Sequence, residues 1–249
     1  MLSDRTSLFF GIAFPVLLTL LFGVLYQGAS YQGMTLAQYI TPAMAAYGIA
    51  TNAYVNLPQV VAEARQNSTL KRLSGTPMPL WVYLVGRLAA TVLLSAVTVG
   101  VTLAVNALAF GVRVPWVAWP ALVVSFLVVT LCFGALGLAL AALTRDGQTV
   151  VAVALGTLLP LSFVSDIFLI VDGGMPRAME VIGWVFPLRH GVNAAIDAMA
   201  PGASGAPSWD HLAVLVCWGV FGGLVARHAL GVQPRQARRR RSAVVAPVG

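Results

Sequence analysis

Lysine occurs once in this sequence of 249 residues, as Lys71 after Leu70. A phosphate loop of the form Gly-x-x-x-x-Gly-Lys-Ser/Thr uses its lysine to reach the terminal phosphates while backbone amides cradle the rest. With no glycine-lysine step, the chain cannot build that loop. Charge of either sign is scarce as well, at 9% of residues, against roughly 25% in soluble domains. The histidines His190, His211 and His228 are scattered, and Cys132 and Cys217 form no pair at metal-ligand spacing. No Gly-x-Ser-x-Gly elbow occurs, and no two carboxylates share an apolar run at a suggestive spacing. Hydrolase and metalloenzyme chemistry therefore lacks its residues.

Apolar residues make up 59% of the chain and the mean hydropathy is +0.85. A bilayer core about 30 Å thick takes roughly 20 apolar helical residues to cross, and six runs of that order are present, at about 8–26, 36–62, 80–110, 116–143, 148–171 and 212–230. The second and third exceed one crossing, so they tilt or extend past the surface. None alternates apolar and polar residues over about ten positions, as a membrane barrel strand does. The expected fold is an all-α membrane protein with six transmembrane helices in one domain, residues 1–232, followed by a disordered basic tail, 233–249. The first run follows Asp4 and Arg5, is long for a signal core and lacks a clear Ala-x-Ala site, so it is read as a retained span.

Lysine and arginine near span ends stay preferentially on the cytoplasmic side. With the N-terminus inside, the inner loops hold Arg5, Arg65, Lys71, Arg72, Arg87, Arg145, Arg227, Arg235 and Arg238 to Arg241, twelve of the fifteen basic residues. Only Arg113, Arg177 and Arg189 fall outside. Both termini are thus expected in the cytoplasm. The arginine cluster after the last run suits anionic lipid headgroups, at about 1 kcal/mol per residue, in preference to nucleic acid.

Between the second and third runs lies Glu63-Ala64-Arg65-Gln66-Asn67-Ser68-Thr69-Leu70-Lys71-Arg72-Leu73-Ser74-Gly75-Thr76-Pro77. Asn67, Ser68 or Thr69 is suited to cap a short helix that Gly75 and Pro77 end. Leu70 and Leu73 share one face beside Lys71 and Arg72, a pattern that on spacing alone describes an interfacial helix with snorkelling cations. Before the last run, Phe163-Val164-Ser165-Asp166-Ile167-Phe168 is followed by Met175-Pro176 and by Phe186-Pro187-Leu188-Arg189-His190.

These two segments resemble the Gly-Thr-Leu-(Lys)-x-Leu-x-x-(Thr)-Pro loop and the Phe-x-Ser-Gly-x-Phe, Leu-Pro and Phe-Pro-Leu block of the ABC-2 type permeases. The resemblance implies that the first segment is a cytoplasmic coupling helix docking on a separate ATPase subunit, with Glu63, Arg65, Leu70, Lys71, Arg72 and Leu73 as contact residues. It implies that the second is an outer re-entrant helical hairpin before the last span, with Asp166, Pro187 and Arg189 as gate or hairpin residues. It further implies an exporter subunit of the inner membrane, paired with a second permease subunit as homodimer or heterodimer. Drugs, as in multidrug efflux and antibiotic resistance, lipids or glycans would be its cargo. No cofactor is expected on this chain, since ATP and Mg belong to the partner ATPase. Ser68 and Asp166 stand where that family often has glycine, and Gln66 where it often has glutamate. Only seven residues precede Leu8, where the family tends to carry an amphipathic connecting helix, which points to a start upstream of Met1.

Within the runs, Asn52, Asn56 and Asn106 either bond between helices or line a transport path. Asp166 either pairs with Arg189, meets water or touches substrate. Pro15, Pro42, Pro58 and Pro160 are sites where the helices can kink. Two other readings stay open: a membrane scaffold that moves nothing, and an intramembrane lipid-modifying enzyme.

Overall fold

A computed structural model describes residues 9–26, 28, 30–31, 33–70, 79–144, 146–168 and 176–244, with side-chain surroundings from 11 to 229. Among the described residues the chain is all-α apart from a two-residue ladder, β1 Ser30–Tyr31 against β2 Met34–Thr35. A π-helical turn, Phe9–Ala13, leads into α1, Phe14–Leu25. The Thr35 side chain accepts the Gln38 N–H and caps α2, Leu36–Ala50, which passes through a second π-turn, Thr51–Asn56, into α3, Leu57–Gln66. Then come α4, Leu80–Phe110, α5, Ala118–Leu143, α6, Gly147–Val164, α7, Arg177–Val185, α8, Pro187–Met199, and α9, Trp209–Val244.

The two π-turns have a common cause in the sequence. Proline lacks an N–H and its ring clashes with the carbonyl four residues back. Pro15 and Pro58 stand in the first turns of α1 and α3, so the displaced carbonyls belong to Gly11 and Tyr54, inside the two widened turns. Of the four prolines in or near the runs, these two are the ones that set off the turns.

Among the described residues four helices, α4, α5, α6 and α9 over Trp209–Ala229, are long and apolar enough to cross a membrane. A shorter apolar helix covers Gly11–Leu25. The rod formed by α2, its π-turn and α3 is buried along most of its length and forms the centre of the bundle, wrapped by α1, α4, α5, α6 and α8. Leu93, Leu108 and Trp116, by contrast, are 70%, 89% and 88% exposed. Apolar faces of that extent along whole helices belong against hydrocarbon and not water.

Helix α9 lies along α5 and runs parallel to it, Gly219 meeting Cys132 and Gly222 meeting Leu136. A Cβ at Gly222 would stand 2.8 Å from the Leu136 nitrogen, so the two backbones approach with no side chain between them. Gly223, the other half of a Gly-x-x-x-Gly pattern with Gly219, faces open space. Helix α9 continues to Val244, where the sequence reading places a disordered tail from 233. The arginine, glutamine and alanine that follow Pro234 are strong helix formers.

Candidate functional site

Three clusters of polar side chains sit at different depths of the bundle. The first is the elbow at the end of α3. Arg65 turns inward and donates from Nη1 to the Ala141 carbonyl at 3.1 Å and from Nη2 to the Thr144 carbonyl, capping the last turn of α5. Carbonyls at a helix C-terminus have no partner within the helix and carry the negative end of its dipole, so a guanidinium there is favourable. Glu63, two residues earlier, accepts from Gln59 Nε2 at 2.8 Å and packs on Gly147 at the start of α6. That start is capped by Asp146, whose carboxylate accepts the Thr149 N–H at 2.7 Å, and this bond holds the carboxyl below its usual range. One short helix is thereby fastened to the adjoining ends of α5 and α6. Arg65, which the resemblance implies is an ATPase contact, uses its guanidinium in this structure to bond the end of α5.

Leu70 lies half-buried at the start of a further helical turn, whereas Lys71, Arg72 and Leu73 lie outside the described residues. Ser68, between α3 and that turn, has φ +59°, and so has Asp166. Among the described residues these are the two non-glycine positions of positive φ, and they are the two positions where the resembling family often carries glycine. The left-handed conformation costs an L-residue roughly 1–2 kcal/mol, which glycine escapes. Glycine is itself more costly to order on folding. Ser68→Gly is therefore expected to raise stability modestly, by about 0.5 kcal/mol, seen as a higher melting temperature of the purified chain. An unchanged or lower value would contradict it.

The second cluster lies where the π-turns face each other. Asn52 Nδ2 donates to Thr98 Oγ1 at 2.9 Å, and Asn56 Nδ2 to Asn52 Oδ1 at 3.1 Å. The Thr98 hydroxyl lies 3.0 Å from the Leu94 carbonyl and 3.3 Å from the Gly11 carbonyl that Pro15 displaces. A Cβ on Gly11 would collide with Asn52 Oδ1, so only glycine admits this approach. Asn106 bonds within its own helix, Nδ2 to the Thr102 carbonyl at 2.8 Å. All three asparagines are buried. In this chain they join or brace helices and open onto no solvent.

The third cluster is the pair α7 and α8, too short at about 14 and 20 Å to cross a bilayer. Pro187 opens α8, its fixed φ suiting a first helical turn and forcing Phe186 before it into an extended conformation. Arg189 reaches back from α8 and pairs through Nη2 with Asp166 Oδ2 at 3.0 Å, the side chains being 11% and 21% exposed. Its guanidinium also lies 5.2 Å from the Trp184 ring and approaches the Glu180 carbonyl at 3.4 Å. Asp166 thus sits beyond the end of α6 in an ion pair, not inside a span.

Sequence reasoning passed over the neighbouring histidines. His190 Nε2 lies 2.9 Å from the Trp184 carbonyl, and its Nδ1 lies 2.9 Å from His211 Nδ1. A carbonyl only accepts, so His190 donates from Nε2 and takes the His211 N–H at Nδ1. Twenty-one residues separate the pair, and no local pattern announces it. Trp218 of α9 adds a bond from Nε1 to the Val185 carbonyl at 3.0 Å, so the hairpin is tied to α6 on one side and α9 on the other.

Among the described residues no group of three or more His, Cys, Asp or Glu is placed to hold a metal ion. The clusters brace, cap and clasp helices. No curated protein matches the chain. The family model of the ABC-2 type transporter matches residues 1–200, a stretch that contains the elbow, both π-turns and the α7–α8 hairpin, and on that match the chain belongs to the ABC-2 type transporter family.

Proposed function

We propose that this chain is the six-span permease subunit of an ATP-driven exporter, moving a hydrophobic or amphipathic drug, lipid or glycan with energy from a separate ATPase. The observation that carries the reading is the elbow, in which Arg65 caps the end of α5 while Glu63 packs on the start of α6. A push on the loop after α3 would be delivered to two crossings at once. Coupling of this kind requires a partner that binds the elbow differently in its ATP-bound and free states.

The remaining features fit the same reading. The apolar helix Gly11–Leu25 and the α2–α3 rod supply two crossings beside the four longer helices. The parallel run of α5 and α9 fits a chain that crosses once in α6 and then dips and returns through α7 and α8. The exposed Val181, Ile182, Trp184 and Val185 give that hairpin an apolar face for partial entry into the bilayer. The bias of basic residues supports an elbow and both termini in the cytoplasm, and in this reading a second permease subunit, identical or related, completes the path.

Leu70 and Leu73 are the apolar anchors for the ATPase groove. Leu70→Asp with Leu73→Asp should reduce co-purification with the ATPase at least ten-fold, since burying unpaired carboxylates in an apolar contact costs several kcal/mol. The chain itself should still insert and fold. Intact assembly and intact coupling in that double variant would remove the elbow from the mechanism.

A further inference from the structure

Two buried histidines meet where α8 joins α9. His190 donates from Nε2 to the Trp184 carbonyl, so its Nδ1 can only accept, and the His211 Nδ1–H fills it at 2.9 Å. The other nitrogen of His211, Nε2, lies 3.7 Å from Asp197 Oδ2, within the reach of an ion pair though long for a hydrogen bond. On a neutral His211 that nitrogen would turn a lone pair toward a carboxylate. With a proton on both nitrogens it turns an N–H. The Trp184 ring also stacks on His211, with centroids 5.7 Å apart and planes inclined by 24°, and an aromatic face attracts a cation. Carboxylate and ring thus favour the doubly protonated form of His211 for separate reasons.

The row from Asp197 through His211 and His190 to the Trp184 carbonyl has a place for one proton beyond the neutral pair and for no more. A second, on His190 Nδ1, would set two N–H groups and two cations against each other across 2.9 Å. Burial holds His190 below the ordinary histidine range. His211 and Arg189 act in the same direction, while the Trp184 carbonyl and Asp210 act against them. Of the other helices packed on α8, α2 brings Tyr39, which faces Asp166, Arg189 and Asp197. Helix α6 leads to Asp166, already paired with Arg189, and α5 carries no acidic or basic side chain.

We propose that Asp197, His211 and His190 form a proton-operated clasp between the α7–α8 hairpin and α9, closed while His211 carries one extra proton and opened when a second proton reaches His190. Opening loosens α9 from the hairpin and leaves the Asp166–Arg189 tie to α6 in place. An unfolded chain takes up the His190 proton near about pH 6.5 and the folded chain only at lower pH. The stability that neutral His190 gives is therefore full above that range and is lost as pH falls through it.

The chain holds three histidines, so NMR of the imidazole nitrogens in the full chain, isotopically labelled at histidine alone, tests the clasp. Single His→Gln variants assign the signals, and either member of the pair suffices with His228→Gln. Near neutral pH the wild-type chain should show His211 protonated at both nitrogens and His190 at Nε2 alone. Asp197→Asn changes a half-exposed side chain and should leave the fold intact while lowering the proton affinity of His211 by about ten-fold, the low end of what a charge at this range contributes. On acidification, uptake of a proton at His190 should coincide with loss of the shared His211 N–H and with a lower melting temperature. Two neutral imidazoles near neutral pH, or an unchanged His211 titration in Asp197→Asn, would overturn the proposal. So would protonation of His190 that leaves the His211 signal and the melting temperature unmoved.

Discussion

Arg189→Met is expected to destabilise the protein by about 3 kcal/mol, because removing one member of a largely buried ion pair leaves the other charge without compensation. The abandoned group is Asp166, which Arg189 meets at 3.0 Å, and the Glu180 carbonyl and Trp184 ring lose a contact as well. A second substitution makes the expectation specific. Asp166→Gly in the same chain removes the orphaned carboxylate and also relieves the positive φ at that position, so the double variant should regain most of the loss. Thermal unfolding of the four chains in a double-mutant cycle reads this directly. If the losses of the two single variants simply add, the pair is not what holds the hairpin to α6.

Gly137→Leu is the second large effect. Gly137 of α5 faces the π-turn of the central rod, where a Cβ would collide with the Ala53 carbonyl and lie 3.1 Å from Pro58 Cδ. Neither partner is a side chain free to swing aside. The carbonyl is backbone, and the proline ring is part of the kink that widens the turn. Overpacking of this sort costs about 3 kcal/mol at the upper end of its usual range, and here it would push α5 from the rod at the level of the asparagine clasp. The check is the yield of monodisperse folded chain after extraction, with Gly223→Leu as the control because its Cβ has open space. Equal yields from the two would contradict the packing described.

Much of the fold was legible in the sequence. The third apolar run coincides with α4, Leu80–Phe110, and the fourth begins two residues before α5. Apolar length alone decides these, because a helix surrounded by lipid needs no amphipathic periodicity. The fifth run, read to 171, is cut short at Val164 by the positive φ of Asp166, a conformation that hydropathy does not register. The π-turns were half legible. Pro15 and Pro58 signalled disturbed helices, but which carbonyl would be rescued depended on Thr98, 83 residues beyond Pro15 and on another helix. The glycine contacts followed the same rule. Spacing alone pairs Gly219 with Gly223, whereas the crossing of α9 over α5 uses Gly219 and Gly222. Arg65 was recognised as part of the elbow, but the inward turn of its side chain depends on where α5 ends. The Asp166–Arg189 pair was among the alternatives the sequence offered, whereas the partners of Arg65, Asn52 and His190 lie on distant segments that no local pattern announces.

The ion pair and the close-packed glycines keep the bundle together, whereas the elbow is proposed to make it move. Arg65 is the residue that separates docking from transmission, since its guanidinium holds α5 and leaves the leucine anchors untouched. The most direct measurement is substrate transport and ATP hydrolysis by the reconstituted permease and its ATPase, with wild-type Arg65 and with Arg65→Ala. The variant should assemble with the ATPase and hydrolyse ATP while transport falls at least ten-fold, leaving hydrolysis uncoupled from movement. Transport at the wild-type rate per ATP in Arg65→Ala would contradict the claim that the elbow drives the ends of α5 and α6.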